Sequence, residues 1–227
     1  RHLRDKIKKI YEPLGYKIQQ ALFSVGSLVM QSLVNSFGSA FMAGFNGANK
    51  IDTFAFMPIQ SFTNAVTTYT GQNIGAGNHE RVRKGLRAGM ALSVGTSILM
   101  CILVYPLSAF MMRMFSQNQE VIDAGVAYLH ELMPFYALLA ISFCFNSVMR
   151  GAGEMIVPMI SSLFALWLVR VPSAYLLAHF FGGEMIYYSY AIGWVVGILI
   201  SGLYYATGRW KNKSIVKKMQ QQASSSD

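Results

Sequence analysis

Uncharged runs alternate with short charged segments along most of the chain. Residues 18–49, 53–78, 88–112, 132–149, 155–169 and 185–208 hold no Asp, Glu, Lys or Arg. A helix rises about 1.5 Å per residue, so roughly 20 such residues cross a hydrocarbon core of about 30 Å. The pattern predicts six membrane-spanning helices: Ile18 to about Phe37, 53–78, 88–112, 121–149, 155–178 and 185–208. The first run is longer than one crossing needs. Gly38, Gly44 and Gly47 therefore predict a glycine-spaced loop before Lys50. Asp52 directly precedes the second span and is expected as its N-cap rather than as a cation ligand.

Two of these spans are not apolar throughout. Gln20, Ser24, Ser27, Gln31 and Asn35 recur every three or four residues, which lays them along one helix face. Gln60, Asn64, Thr67, Thr68 and Gly71 repeat the pattern on the second span. A polar stripe turned to lipid is costly, so both must face protein or water. Two readings stand: hydrogen bonding between helices, or the wall of a polar passage.

Charge orders the spans. Sixteen of the nineteen cations fall in the segments 1–17, 81–87, Arg150 and 209–218, and only Lys50 and Arg113 fall on the other side. Connections rich in Lys and Arg stay in the cytoplasm, so both ends are expected there, with the protein in the cytoplasmic (inner) membrane. Residues 1–13 form a cytoplasmic linker, 14–208 a six-helix lobe and 209–227 a basic, partly disordered tail. With 53% hydrophobic and 13% charged residues the chain is far from a soluble domain. Its net charge of +9 is explained by the segments between spans, so no nucleic-acid partner is expected. The chain opens on Arg1 and is expected to be a piece of a longer polypeptide.

Arg170, ahead of Pro172, is the one cation inside a span. It lies about 21 Å from the start of that span, where its long side chain is expected to snorkel outward or bind carbonyls freed by the proline. A structural role comes first and a substrate or gating role second. Glu131 is expected as a solvated carboxylate near the headgroups. Cys101 and Cys144 lie in apolar runs without metal or disulfide spacing. Neither His79-Glu80 nor His130-Glu131 is followed by the second His of a zinc protease, and no GK[ST] follows Gly71, Gly75 and Gly77. No metal, catalytic residue or cofactor is expected, and the chain is not read as an enzyme.

Several stretches resemble the multidrug and toxic compound extrusion (MATE) transporters, in particular their DinF-like branch. These are KIDTFAFMPIQSF with TGQNIGAGNHERVRKGLR, MPFYALLAISFCFNSVMRGAGEMIVPMI, LWLVRVPSAYLL and GRWKNK, in order and spacing. The resemblance runs from about residue 14 to 213, with the family's repeat at roughly 15–155. It implies an all-α membrane protein whose six helices form the C-terminal lobe of a twelve-helix transporter. Substrate would pass through a cleft shared with the absent N-terminal lobe, driven by Na+ or H+.

The stripes then become half of the cleft wall, and Gln20, Ser24, Gln31, Asn35, Gln60, Asn64 and Thr67 are the candidate substrate-facing groups. Some relatives place coupling carboxylates in the first and fourth spans of this lobe. Here Gln20, Gln31 and Asn35, and Leu138, Leu139 and Ser142, stand instead, so the coupling ion is expected in the missing lobe. The implied partners are membrane lipid, small organic substrates and that lobe. A flippase of lipid-linked oligosaccharide and a non-transporting membrane scaffold remain alternatives.

Overall fold

The computed structural model describes the backbone of residues 2–212 and the side chains of 17, 18 and 20–211. The basic tail beyond Asn212 lies outside the described residues. The helices are α1 (His2–Asn35), α2 (Ser39–Gly75), α3 (His79–Arg113), α4 (Gln119–Leu132), α5 (Tyr136–Gly151), α6 (Ile156–Phe164), α7 (Val171–Phe181) and α8 (Ile186–Ala206). A short 3-10 turn, Met133–Phe135, links α4 to α5, and a π-helical turn, Ala165–Arg170, links α6 to α7. These joined pairs act as single spans, so six helical rods result.

Both internal breaks have the same cause. Pro134 and Pro172 each lack an N–H and crowd the preceding turn, and the backbone tightens to 3-10 geometry at one and widens to π geometry at the other. Four rods are apolar and long enough to cross a membrane by composition. α1 and α2 are also long enough, at 34 and 37 residues, and their polar stripes are what lower their hydropathy.

The expected loop after Phe37 is not a loop. Only Gly38, with φ 98°, turns the chain, and α2 starts at the next residue. Gly44 and Gly47 lie inside α2, where they serve packing. A Cβ on Gly44 would sit 2.6 Å from the Val121 carbonyl oxygen and 2.8 Å from the Gly125 nitrogen, so α2 and α4 touch backbone to backbone there. Lipid tails are as apolar as leucine, and close approach over small residues is what holds helices together in that solvent. Gly151 plays the same part where α5 crosses α2 at Thr70.

α2 is the central rod, packed against α3, α4 and α5. Its inner face, Ala48, Ile51, Ala55 and Ile59, meets Tyr128, Leu129, Leu132 and Tyr136 in the largest buried cluster. Phe45, Tyr128 and Tyr187 pack edge-on or stacked at 5.0 to 6.4 Å between centroids. A second cluster joins Val66, Val82, Leu86, Val148 and Trp210 near the basic turn. A third ties Met30 and Leu33 of α1 to Ala174, Ala178 and Ile186.

The turns follow local chemistry. Asn78 caps α3 by accepting the Arg81 N–H at 3.1 Å, and Gly77 reverses the chain with φ 73°. In the Arg150–Glu154 turn, Gly153 adopts φ 84°, and buried Glu154 accepts the Ile156 N–H at 3.1 Å and the Tyr204 hydroxyl at 3.0 Å.

Candidate functional site

α1 and α2 present their polar stripes on surfaces not covered by the rest of the chain. Gln20, Ser24, Asn35, Gln60 and Asn64 are exposed, and Gln31 and Thr67 are half-buried. Their hydrogen bonds stay on their own helices. The Ser24 hydroxyl donates to the Gln20 carbonyl at 2.9 Å and the Thr67 hydroxyl to the Thr63 carbonyl at 3.1 Å. The Gln31 amide donates to the Asn35 side chain at 2.9 Å. Among the described residues none of the seven bonds to another helix.

The stripe on α2 is longer than the sequence reading made it. Asn46, Asn49 and Thr53 are exposed and continue the three-to-four spacing toward Gln60. That spacing was present in the sequence, but glycines on either side disguised it as a loop. Met57, four residues on from Thr53, is exposed on the same face, which therefore mixes amide and hydroxyl groups with thioether surface. Such a surface suits molecules with both apolar bodies and polar groups.

Asp52 is not an N-cap. It lies well inside α2, one residue from buried Ile51, and the Tyr128 hydroxyl of α4 donates to its Oδ2 at 3.2 Å. Its Oδ1 is shut from solvent with no partner. The expectation of Asp52 as the cap at the start of the second span is corrected accordingly. The signal was legible: Ala48, Ile51, Ala55 and Ile59 form an apolar face that Asp52 adjoins.

Arg170 does not snorkel. The π-helical turn directs it inward, with its guanidinium carbon 3.2 Å from the centroid of the Tyr190 ring. Its Nε is buried without a partner, as is the Tyr187 hydroxyl. Arg170 lies within electrostatic reach of Asp52 and Tyr128, so α2, α4, α8 and the π-helical turn meet around one buried set of charged and phenolic groups. A cation over an aromatic face out of water is worth about 2 kcal/mol or more. Trp167 of the same turn donates to the Leu22 carbonyl of α1 at 3.2 Å, which links this set to the striped face.

The other titratable groups are placed more simply. Glu131 is half-buried and accepts the Tyr188 hydroxyl. His130 stacks on Tyr105 at 3.7 Å between ring centroids and reaches Ser108 at 2.9 Å. Glu80, on the surface, is held below the usual carboxylate range by Lys84 at 2.9 Å. Among the described residues no group of three His, Cys, Asp or Glu side chains gathers into a metal site.

Comparison with known proteins agrees with this architecture. The MatE family profile matches residues 17–176. The chain is 27% identical over 205 residues to the probable multidrug resistance protein YpnP of Bacillus subtilis, covering 90% of this chain and 46% of that protein. It is 24% identical over 205 residues to the probable multidrug resistance protein NorM of Thermotoga maritima, covering 88% and 44%. Among solved structures, the MATE transporter ClbM in complex with Rb+ aligns with a TM-score of 0.79 at 22% identity, over 88% of this chain and 48% of that one. A multidrug resistance MATE transporter aligns in an outward-facing conformation (TM-score 0.78, 19% identity, 90% and 46% covered). One in an inward-facing conformation aligns too (TM-score 0.73, 17% identity, 90% and 47% covered). The chain thus spans somewhat less than half the length of the relatives it matches. With six helical rods in the fold of those transporters and a profile match over most of its length, the chain belongs to the MatE family, the multidrug and toxic compound extrusion transporters.

Proposed function

We propose that the chain is the C-terminal lobe of a cation-coupled multidrug efflux antiporter, exporting organic, cationic or amphiphilic compounds by alternating access. The observation that carries this reading is the pair of uncovered polar stripes. Gln20, Ser24, Gln31, Asn35, Gln60, Asn64 and Thr67 make one wall of a cleft, and the N-terminal lobe of the same transporter supplies the other. Transport needs no covalent step, since binding and release follow from which side the cleft faces. The lobe's likeness to relatives solved facing either way supports its moving as a body.

The coupling ion, Na+ or H+, binds in the other lobe. Asp52 is engaged by Tyr128 and shares its surroundings with Arg170, which suits holding helices together better than binding and releasing an ion. Arg170 has a structural role for the same reason. A flippase for lipid-linked sugars needs several cations to hold a diphosphate. From residue 18 to residue 78 of the striped helices Lys50 is the only one.

Replacing Gln31 and Asn64 together by Leu in the complete transporter tests the cleft. Each lost hydrogen bond to a bound compound costs about 1 kcal/mol, so efflux of a cationic dye such as ethidium should fall by about tenfold or more at unchanged membrane levels of protein. Unaltered efflux would instead favour a scaffold. The sidedness, both ends in the cytoplasm of an inner-membrane protein, is checked with a single cysteine at position 83. A membrane-impermeant maleimide added to intact cells should leave it unlabelled, and labelling reverses the topology.

A further inference from the structure

A cleft of about 460 Å³ opens where α3, α5 and α8 meet the turn that ends at Asn212, away from the striped face of α1. Its rim carries Arg83, Arg87 and Lys211. Arg83 and Arg87 are one helical turn apart and exposed, so both project from the same side of α3. Beneath them, toward the middle of the helices, the floor is Leu86, Met90 and Phe145. Gly202 leaves this floor open: a Cβ there would meet only the edge of Phe145, at 3.6 Å. Tyr205, stacked on buried Trp210 at 5.2 Å, brings a phenol within electrostatic reach of both guanidiniums.

We propose that this cleft binds one anionic phospholipid, with its phosphate between Arg83, Arg87 and Lys211 and the upper part of an acyl chain along Met90, Phe145 and Gly202. The layout is that of an amphiphile standing in a bilayer, with charge at the helix ends and apolar surface below. Basic recesses between transmembrane helices on the cytoplasmic side select such headgroups. Charge complementarity identifies the occupant. Among the described residues no carboxylate pairs with the three cations, because Glu80 is engaged by Lys84 and Glu154 by Tyr204 and the Ile156 N–H. The sequence beyond Asn212 is itself basic, with Lys213, Lys217 and Lys218 and no acid before Asp227. A free phosphate would leave the apolar floor bare. On the same helix as Gly202, Leu199 and Leu203 are exposed.

The test uses the complete transporter, delipidated in detergent and titrated with dioleoylphosphatidylglycerol or dioleoylphosphatidylcholine under native mass spectrometry. One phosphatidylglycerol should bind at least about tenfold more tightly than phosphatidylcholine. The double variant Arg83→Ala/Arg87→Ala should lose about tenfold or more in affinity for phosphatidylglycerol, since a basic residue at the membrane surface contributes about fivefold. Arg81→Ala/Lys84→Ala, which removes two cations from the same turn but outside the cleft, should retain the wild-type value. Gly202→Leu fills the floor without touching the charges and should also weaken binding. Equal binding of the two lipids, or equal losses in the two double variants, would reduce the effect to general attraction and overturn the proposal. Full displacement by millimolar inorganic phosphate, or undiminished binding in Gly202→Leu, would show an anion site and not a lipid site.

Discussion

Replacing Arg170 by Met should lower the thermal midpoint of the detergent-solubilised transporter more than any other single change among its buried polar groups. Arg170 rests on Tyr190 and supplies the positive charge near Asp52, whose Oδ1 is buried without a partner. Asp52 and Arg170 are each half-buried, so removing Arg170 leaves Asp52 and the Tyr190 ring without their cationic neighbour, at a cost of about 1 to 3 kcal/mol. The double variant Asp52→Asn/Arg170→Met removes both charges and should recover much of that loss, because replacing a buried pair by neutral groups is often close to neutral. Differential scanning fluorimetry on wild type, both single variants and the double variant completes the cycle. A coupling of about 0.5 kcal/mol or more is expected between groups that share one network. Strictly additive effects would mean that Asp52 and Arg170 do not sense each other, and the structural role assigned to Arg170 would fall.

The second large effect concerns Gly44. An added methyl group there meets backbone atoms of α4 at 2.6 and 2.8 Å, and backbone cannot rotate away as a side chain can. α2 and α4 must separate, at a cost of at least about 1 to 3 kcal/mol from overpacking. Loss also spreads to the aromatic packing of Phe45 against Tyr128 one residue on. Gly95 on α3 is the control. Nothing lies within 4 Å of its missing Cβ, so Gly95→Ala should be neutral or stabilise the helix by up to about 1 kcal/mol. Equal thermal midpoints for the two alanine variants would remove close helix contact as the reason for a glycine at 44.

The glycines show where reading the chain as a string stops working. Gly38, Gly44 and Gly47 look alike as punctuation, yet one turns the backbone and the other two make room for neighbours inside a helix. Only contacts with α4 and with Met112 of α3 separate these uses. The prolines divide similarly. Pro134 and Pro172 were legible as interruptions, but whether the backbone tightens or widens depends on what surrounds it. At Pro172 the widened turn carries Trp167 to α1 and Arg170 to Tyr190. The polar stripes were legible because helical periodicity alone aligns Gln20 with Asn35 and Gln60 with Thr67. Their extension through Asn46, Asn49 and Thr53 was missed together with the helix that carries them.

Local chemistry, then, was enough to establish six largely apolar rods, the cations clustered near their ends and the polar faces on two of them. Each of these depends only on a residue's solubility in hydrocarbon and on the repeat of a helix. The inward turn of Asp52 and Arg170, the backbone contact at Gly44 and the basic cleft above Phe145 depend on which rods become neighbours. That is settled by long-range packing, which joins residues as far apart as Asp52 and Tyr128 and which no spacing along a single segment encodes.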